Sequence, residues 1–244
     1  MSRSLRAPRP PAASPSAAWS CSVGDRVGSM RIDVWSDVAC PWCYIGKRNL
    51  EAALLELDLD NDVEVRWRAY ELDPGAPASS KLGMAEVLSR KYGVSVEQAT
   101  EMNAQMTEVA AKVGLEYHLD TAQLGNSFDA HRLAKLADDR GLGGEMAERL
   151  FRAHFTENRL ISDHATLVEL AVEVGLDQIE AAAVLASDAY ADEVRGDEEL
   201  ASEAGFSGVP TYVIDGKLAI PGAQPPDVLV RLLGRMAAGQ PIDD

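Results

Sequence analysis

The stretch SDVACPWCYIGKR, residues 36–48, holds two of the chain's three cysteines, Cys40 and Cys43, with Pro41 and Trp42 between them. Just before it, MRIDVWSD places Ile32, Val34 and Trp35 in a short run that suits a buried strand. Just after it, YIGKRNLEAALLEL repeats apolar residues at helical spacing: Ile45, Leu50, Ala53, Leu54 and Leu57. The cysteines therefore fall where a strand ends and a helix begins. Pro41 fits the first helical turn, where a missing N–H costs nothing. Cys40 then takes the N-cap, with free backbone N–H groups and the positive end of the helix aimed at its sulfur. Both favour thiolate over thiol. Cys43, one turn on, shares that helix face and is expected to be more buried and protonated at rest. The spacing thus assigns the attack to Cys40 and the resolution of a mixed disulfide to Cys43.

Two other uses of such a pair are poorly supported. A structural zinc site needs four ligands, yet Cys21 stands alone in the N-terminal stretch and His118, His131, His154 and His164 are scattered through helical segments. No metal is expected. A structural disulfide closing so short a loop would constrain very little. Redox chemistry remains. Trp42 brings no charge to stabilise a thiolate, so the couple is expected to be less oxidising than one with a histidine between the cysteines.

Farther along, VEVRWRAYEL alternates, with Val63, Val65, Trp67 and Ala69 on one side and Glu64, Arg66, Arg68 and Tyr70 on the other, which reads as a half-buried strand. A Pro/Gly/Ser-rich break, DPGAPASS, follows. From there only helical patterning is seen to about Asp192, with Gly93, Gly114, Gly141 and Gly175 each placed after a run, where a left-handed residue is wanted. A further helix ends at Gly205. GVPTYVIDGKLAIPGAQ then reads as two short strands around the turn DGK, and PPDVLVRLLGRMAAG as a closing helix. The order β-α-β, helices, α-β-β-α gives the fold class: α/β, a thioredoxin-like fold with a large all-helical insertion. The expected division is a disordered N-terminal extension over 1–29, the first half of the thioredoxin-like domain over 30–78, the insertion over 79–192, and the second half over 193–244.

Composition limits the function. The formal charge is −16, and residues 1–29 carry a net +3, so the rest stands at −19. A body this acidic disfavours nucleic acid and anionic membranes as partners. No apolar run is long enough to span a bilayer, and the N-terminal stretch, rich in Pro, Ala, Ser and Arg, makes a poor secretory signal. Three cysteines suit a reducing compartment with one reactive pair, so the expected location is the cytoplasm. A homodimer is compatible with the sequence, but no interface can be located in it.

In GVP, a β-branched residue precedes proline at a strand start. A trans-proline opening a strand is the plain reading. The functional one is a cis-proline loop facing the cysteines, where Pro210 offers no competing donor and the Val209 backbone pairs with an extended substrate. With the cysteine pair and the β-β-α ending, the second reading is preferred. At these residues the chain resembles the DsbA family of thioredoxin-fold proteins, in its FrnE-like branch. The resemblance is carried by SDVACPWCYIGKR, NSFDAHRLAKLA, HFTENRLISD and SGVPTYVIDGKLAIPGAQPP, and extends from Met30 onward. It implies thiol–disulfide oxidoreductase or isomerase activity, with Cys40 and Cys43 as the redox pair and Pro210 as the cis-proline. Pro-Trp stands where the secreted oxidases have Pro-His, no export signal is found, and no cysteine follows Cys43. An intracellular reductase or isomerase fits these departures better than a secreted oxidant.

The substrate-facing residues are then Pro41, Trp42, Val209 and Pro210. Asn126 and His131 are secondary candidates on a helix that the resemblance sets over the site. The plain reading is preferred for both: Asn126 as an N-cap and His131 as a satisfied interface residue. Asp37 is read as a solvated or capping carboxylate, Trp35 and Trp67 as core, and Met102 and Met106 as core filler. The leading function is a thiol–disulfide oxidoreductase or isomerase acting on protein or peptide disulfides, with no bound cofactor and with glutathione as a candidate co-substrate. The alternative is a glutathione-dependent transferase or isomerase of small aromatic molecules, against which the retained Cys43 argues. A third class is a chaperone or binding module using the apolar surface near Trp42, whose binding would survive loss of both cysteines.

Overall fold

Strand β1 (Met30–Ser36) lies inside a four-stranded sheet ordered β2-β1-β3-β4 in the computed structural model, which describes residues 30–60 and 62–240. Helix α1 (Pro41–Glu56) carries the chain from β1 to β2 (Val63–Ala69), which pairs with β1 in parallel. Strand β3 (Thr211–Ile214) pairs antiparallel with β1, and β4 (Leu218–Pro221) closes the sheet as a hairpin on β3. The hairpin turns through Asp215 (φ 49°) and Gly216 (φ 66°), the two left-handed residues that match the twist of the flanking strands. The expected N-terminal extension and Cys21 lie outside the described residues.

Between β2 and β3 run α2 (Met84–Tyr92), α3 (Val96–Lys112), α4 (Phe128–Asp139), α5 (Gly143–Phe155), α6 (His164–Glu173), α7 (Gln178–Leu185) and α8 (Ala191–Glu203); α9 (Pro226–Ala237) ends the described chain. Local chemistry sets several helix ends. Ser95 and Gln98 form a capping box on α3, and Asp163 and Asp177 accept from the first turns of α6 and α7. Gly93 closes α2 in the left-handed conformation expected of it.

One face of the sheet, with Ile32, Val34, Tyr212 and Ile214, packs on Leu50, Ala53 and Leu54 of α1 and on Leu229 and Leu233 of α9. Burying each such side chain stabilises the fold by about 1.5–3 kcal/mol. On the other face Trp35 and Val213 pack on Ala201 of α8. A separate apolar core, including Leu133, Leu136, Met146, Leu150, Leu167 and Leu170, binds α4, α5 and α6 together.

Strand β2 is half-buried, as its alternation predicts. α8 covers it, and Asp197 of α8, 3% exposed, accepts from the Ala69 N–H at 2.8 Å and the Arg68 guanidinium at 3.1 Å and pairs with Lys135. Arg68 also pairs with Asp33 at 2.7 Å. Met102 is not core filler, being 38% exposed, because α3 packs only one flank on its neighbours. Met106 does pack on the aromatic cluster below the cysteines.

Candidate active site

The loop from β1 into α1 sets Cys40 at the helix N-cap in extended conformation (φ −93°, ψ 112°), with Pro41 opening the first turn. Both cysteines are reduced and buried, Cys40 at 4% exposure and Cys43 at 1%. Cys40 donates from Sγ to the backbone carbonyl of Val209 at 3.6 Å. The Val209–Pro210 peptide bond is cis. Residues 169 positions apart in the chain thus meet across the end of the sheet. The Pro210 carbonyl accepts from the Gly222 N–H at 2.7 Å, which ties the loop to the end of the β4 hairpin.

Burial, together with the neighbouring Cys40, pushes the Cys43 thiol well above its ordinary range, against hydrogen bonds from the Ser36 hydroxyl and the Asp37 N–H. Cys43 is thus held as the thiol at rest. Pro41 is half-buried and Trp42 is 44% exposed, the large apolar side chain that the motif offers to solvent.

Two residues that the sequence did not single out hold the motif in place. Tyr117, in the segment before α4, donates to the Pro41 carbonyl at 2.7 Å. Its ring stacks on Phe155 at 4.7 Å, and Tyr44 of α1 stacks on Phe151 at 5.0 Å, so the helical block packs directly beneath the dithiol. Gly46, one turn after Cys43, is the second. A Cβ there would collide with the Tyr212 hydroxyl and come within 3.0 Å of Pro210 Cγ. Its signal in the sequence was a glycine inside a helix, which often marks close backbone approach; Tyr117 had none. On its outer side α1 is tied to α5, with Tyr44 donating to Glu148 at 2.6 Å and Lys47 pairing with Glu148 at 2.8 Å.

The secondary candidates separate. Asn126 is not the α4 N-cap, which is Ser127. Its Oδ1 accepts from the Phe128 N–H and its Nδ2 donates to Glu71, both at 2.8 Å, so it braces the segment after β2 rather than the cysteines. His131 lies close behind the motif, 3.6 Å from Asp37 Oδ1, and its buried Nε2 makes no hydrogen bond. It is not the hydrogen-bonded residue expected from the sequence, because Asp37 faces it from beyond hydrogen-bond distance. Asp37 is buried, not solvated, and accepts from the N–H groups of Ala39 at 3.0 Å and Leu72 at 2.7 Å. Those donors and His131 outweigh burial and hold its carboxyl below the usual range.

A buried cysteine pair at a helix start thus faces a cis-proline loop on a β-α-β/β-β-α frame, the architecture of a thioredoxin-like fold. The model of the DSBA-like thioredoxin domain matches residues 31–234, and the chain belongs to that family of oxidoreductases. Among solved structures, a probable DsbA oxidoreductase from Streptomyces coelicolor is 42% identical, with a TM-score of 0.81 over 88% of this chain and 92% of that one. The uncharacterized protein YwbO of Bacillus subtilis is 31% identical over 210 residues, 84% of this chain and 96% of its own. The cytosolic disulfide reductase DsbM from Pseudomonas aeruginosa shares the fold at 21% identity, with a TM-score of 0.60 over 85% of this chain and 98% of that one. Among the described residues no helix is long and apolar enough to cross a membrane.

Proposed function

We propose that this protein is a thiol–disulfide oxidoreductase or isomerase that uses the Cys40-Pro41-Trp42-Cys43 dithiol on protein or peptide disulfides. The observation that carries it is the contact of Cys40 Sγ with the Val209 carbonyl beside Pro210, with Cys43 held behind it as a thiol. A substrate strand laid along the Val209–Pro210 segment brings its disulfide to Cys40, while Trp42 offers an apolar surface for the flanking residues. Cys40 attacks, and Cys43 resolves the mixed disulfide. Glutathione enters this reading as the small thiol co-substrate, in line with a DsbM structure determined with glutathione. A dithiol of this kind in a chain with only three cysteines points to a reducing compartment, so the reaction is placed in the cytoplasm.

Equilibration with glutathione redox buffers tests the reading, with Cys43→Ser as control. The expected result is a reversible two-electron couple that the variant loses, less oxidising than a pair with histidine between the cysteines. Absence of a titratable couple would overturn the dithiol reading in favour of a monothiol enzyme using glutathione on small aromatic molecules.

A further inference from the structure

Cys43 must lose its proton before it can resolve a mixed disulfide, and the proton needs a destination inside a closed site. Ser36, at the end of β1, donates its hydroxyl toward the Cys43 sulfur. On its other side Ser36 lines a cavity of about 20 Å³, room for one water molecule, whose wall also includes His131 of α4. His131 Nε2 is buried there with no hydrogen bond, 3.6 Å from Asp37 Oδ1. An imidazole on the wall of a cavity, its buried nitrogen free of hydrogen bonds and beside a carboxylate, can accept a proton with the counter-ion already in place.

We propose that Ser36, His131 and Asp37 form a proton relay for Cys43, with His131 receiving the proton through the Ser36 hydroxyl and the cavity. This inference rests on the dithiol reading above and adds the residues that drive its second step. In the reducing direction Cys40 releases its Sγ proton to solvent and attacks a substrate disulfide as the thiolate. A Cys40–substrate S–S bond forms, the substrate's own S–S bond breaks, and one substrate thiolate leaves. Cys43 passes its proton by way of Ser36 to His131 and attacks the Cys40 sulfur. The Cys40–Cys43 disulfide forms and the second substrate thiolate departs. Two electrons pass from the dithiol to the substrate disulfide, and the proton rests between His131 and Asp37.

The other charged groups around the cavity are already committed. Lys135, also on α4, pairs with Asp197 of α8, and Arg68 of β2 pairs with Asp33 and Asp197. Burial pushes His154 of α5 down to about 4 against the attraction of Asp37, so it stays neutral and offers no competing cation. His131 is a relay residue; it touches neither sulfur.

The test is single-turnover reaction of the reduced protein with excess nitrobenzoate aryl disulfide, whose released thiol is coloured. The first equivalent released reports attack by Cys40 and the second reports resolution by Cys43. In His131→Gln the second phase is expected to slow by about 100-fold, the scale of losing a proton acceptor, with the first unchanged. Its rate then climbs about tenfold per pH unit near neutrality, following Cys43 ionisation alone, where the wild-type rate is much flatter. Ser36→Ala carries the same expectation without touching α4. A second phase with wild-type rate and pH profile in both variants overturns the relay. A single equivalent from the wild type, unaffected by Cys43→Ser, would instead bring down the dithiol reading and the relay with it.

Discussion

Replacing Gly46 by alanine isolates the closest approach in the site. Within a helix the change alone should stabilise by about 0.5–1 kcal/mol, because glycine loses more backbone freedom on folding. Here the added methyl meets the Tyr212 hydroxyl and sits 3.0 Å from Pro210 Cγ. Tyr212 is fully buried in β3 and has no room to yield. Overpacking of this kind costs about 1–3 kcal/mol. Gly46→Ala should therefore destabilise by about 1–2 kcal/mol once the helical gain is subtracted. Tyr212→Phe removes a hydroxyl that is buried without a hydrogen-bond partner, so it should be neutral or stabilising by about 1 kcal/mol. In that background the main obstacle to the methyl is gone, and Gly46→Ala should cost close to nothing. The coupling read from the four proteins by urea unfolding is then about 1–2 kcal/mol, well above the 0.3–0.5 kcal/mol that separates additive from interacting sites. Equal effects of Gly46→Ala in the two backgrounds, or stabilisation in the wild type, would refute this account of how α1 is seated.

Two further outcomes can be checked by the same unfolding measurements. Asp197→Ala removes a buried carboxylate facing Arg68, Lys135 and the Ala69 N–H, and should cost about 3–5 kcal/mol, since it leaves buried partners uncompensated; a loss under 1 kcal/mol would mean that these ion pairs are screened as surface pairs are. His154 is fully buried, and burial lowers it to about 4 while the unfolded imidazole titrates near 6.5. The unfolded chain therefore binds the extra proton between these values, and stability should fall by on the order of 3 kcal/mol as pH drops from about 6.5 to 4, a slope that His154→Leu should flatten. Equal pH slopes in variant and wild type would place the acid sensitivity elsewhere.

Much of the frame could be read directly because its signals are local. The alternation in β2, the helical spacing after Cys43, the glycines at the helix ends and the Asp-Gly turn each depend on residues a few positions apart. The cysteine pair was equally legible, since Pro41 and the strand before it set Cys40 at a helix start. The errors share one cause. Whether Asp37 is solvated, whether Met102 is covered, and whether His131 finds a partner all depend on α4, α3 and the segment after β2 arriving from distant parts of the chain.

By itself the sequence determined that this chain has a thioredoxin-like frame with two cysteines at the first turn of its first helix, because covalent spacing and helix geometry leave little choice there. Only the tertiary structure decided what surrounds them. The Val209 carbonyl reaches Cys40 across the sheet, Tyr117 holds the Pro41 carbonyl, and Ser36, His131 and Asp37 gather behind Cys43. Those contacts join residues tens to hundreds of positions apart. They exist because buried polar groups must find partners within a packed interior, a condition that spacing along the chain does not reveal.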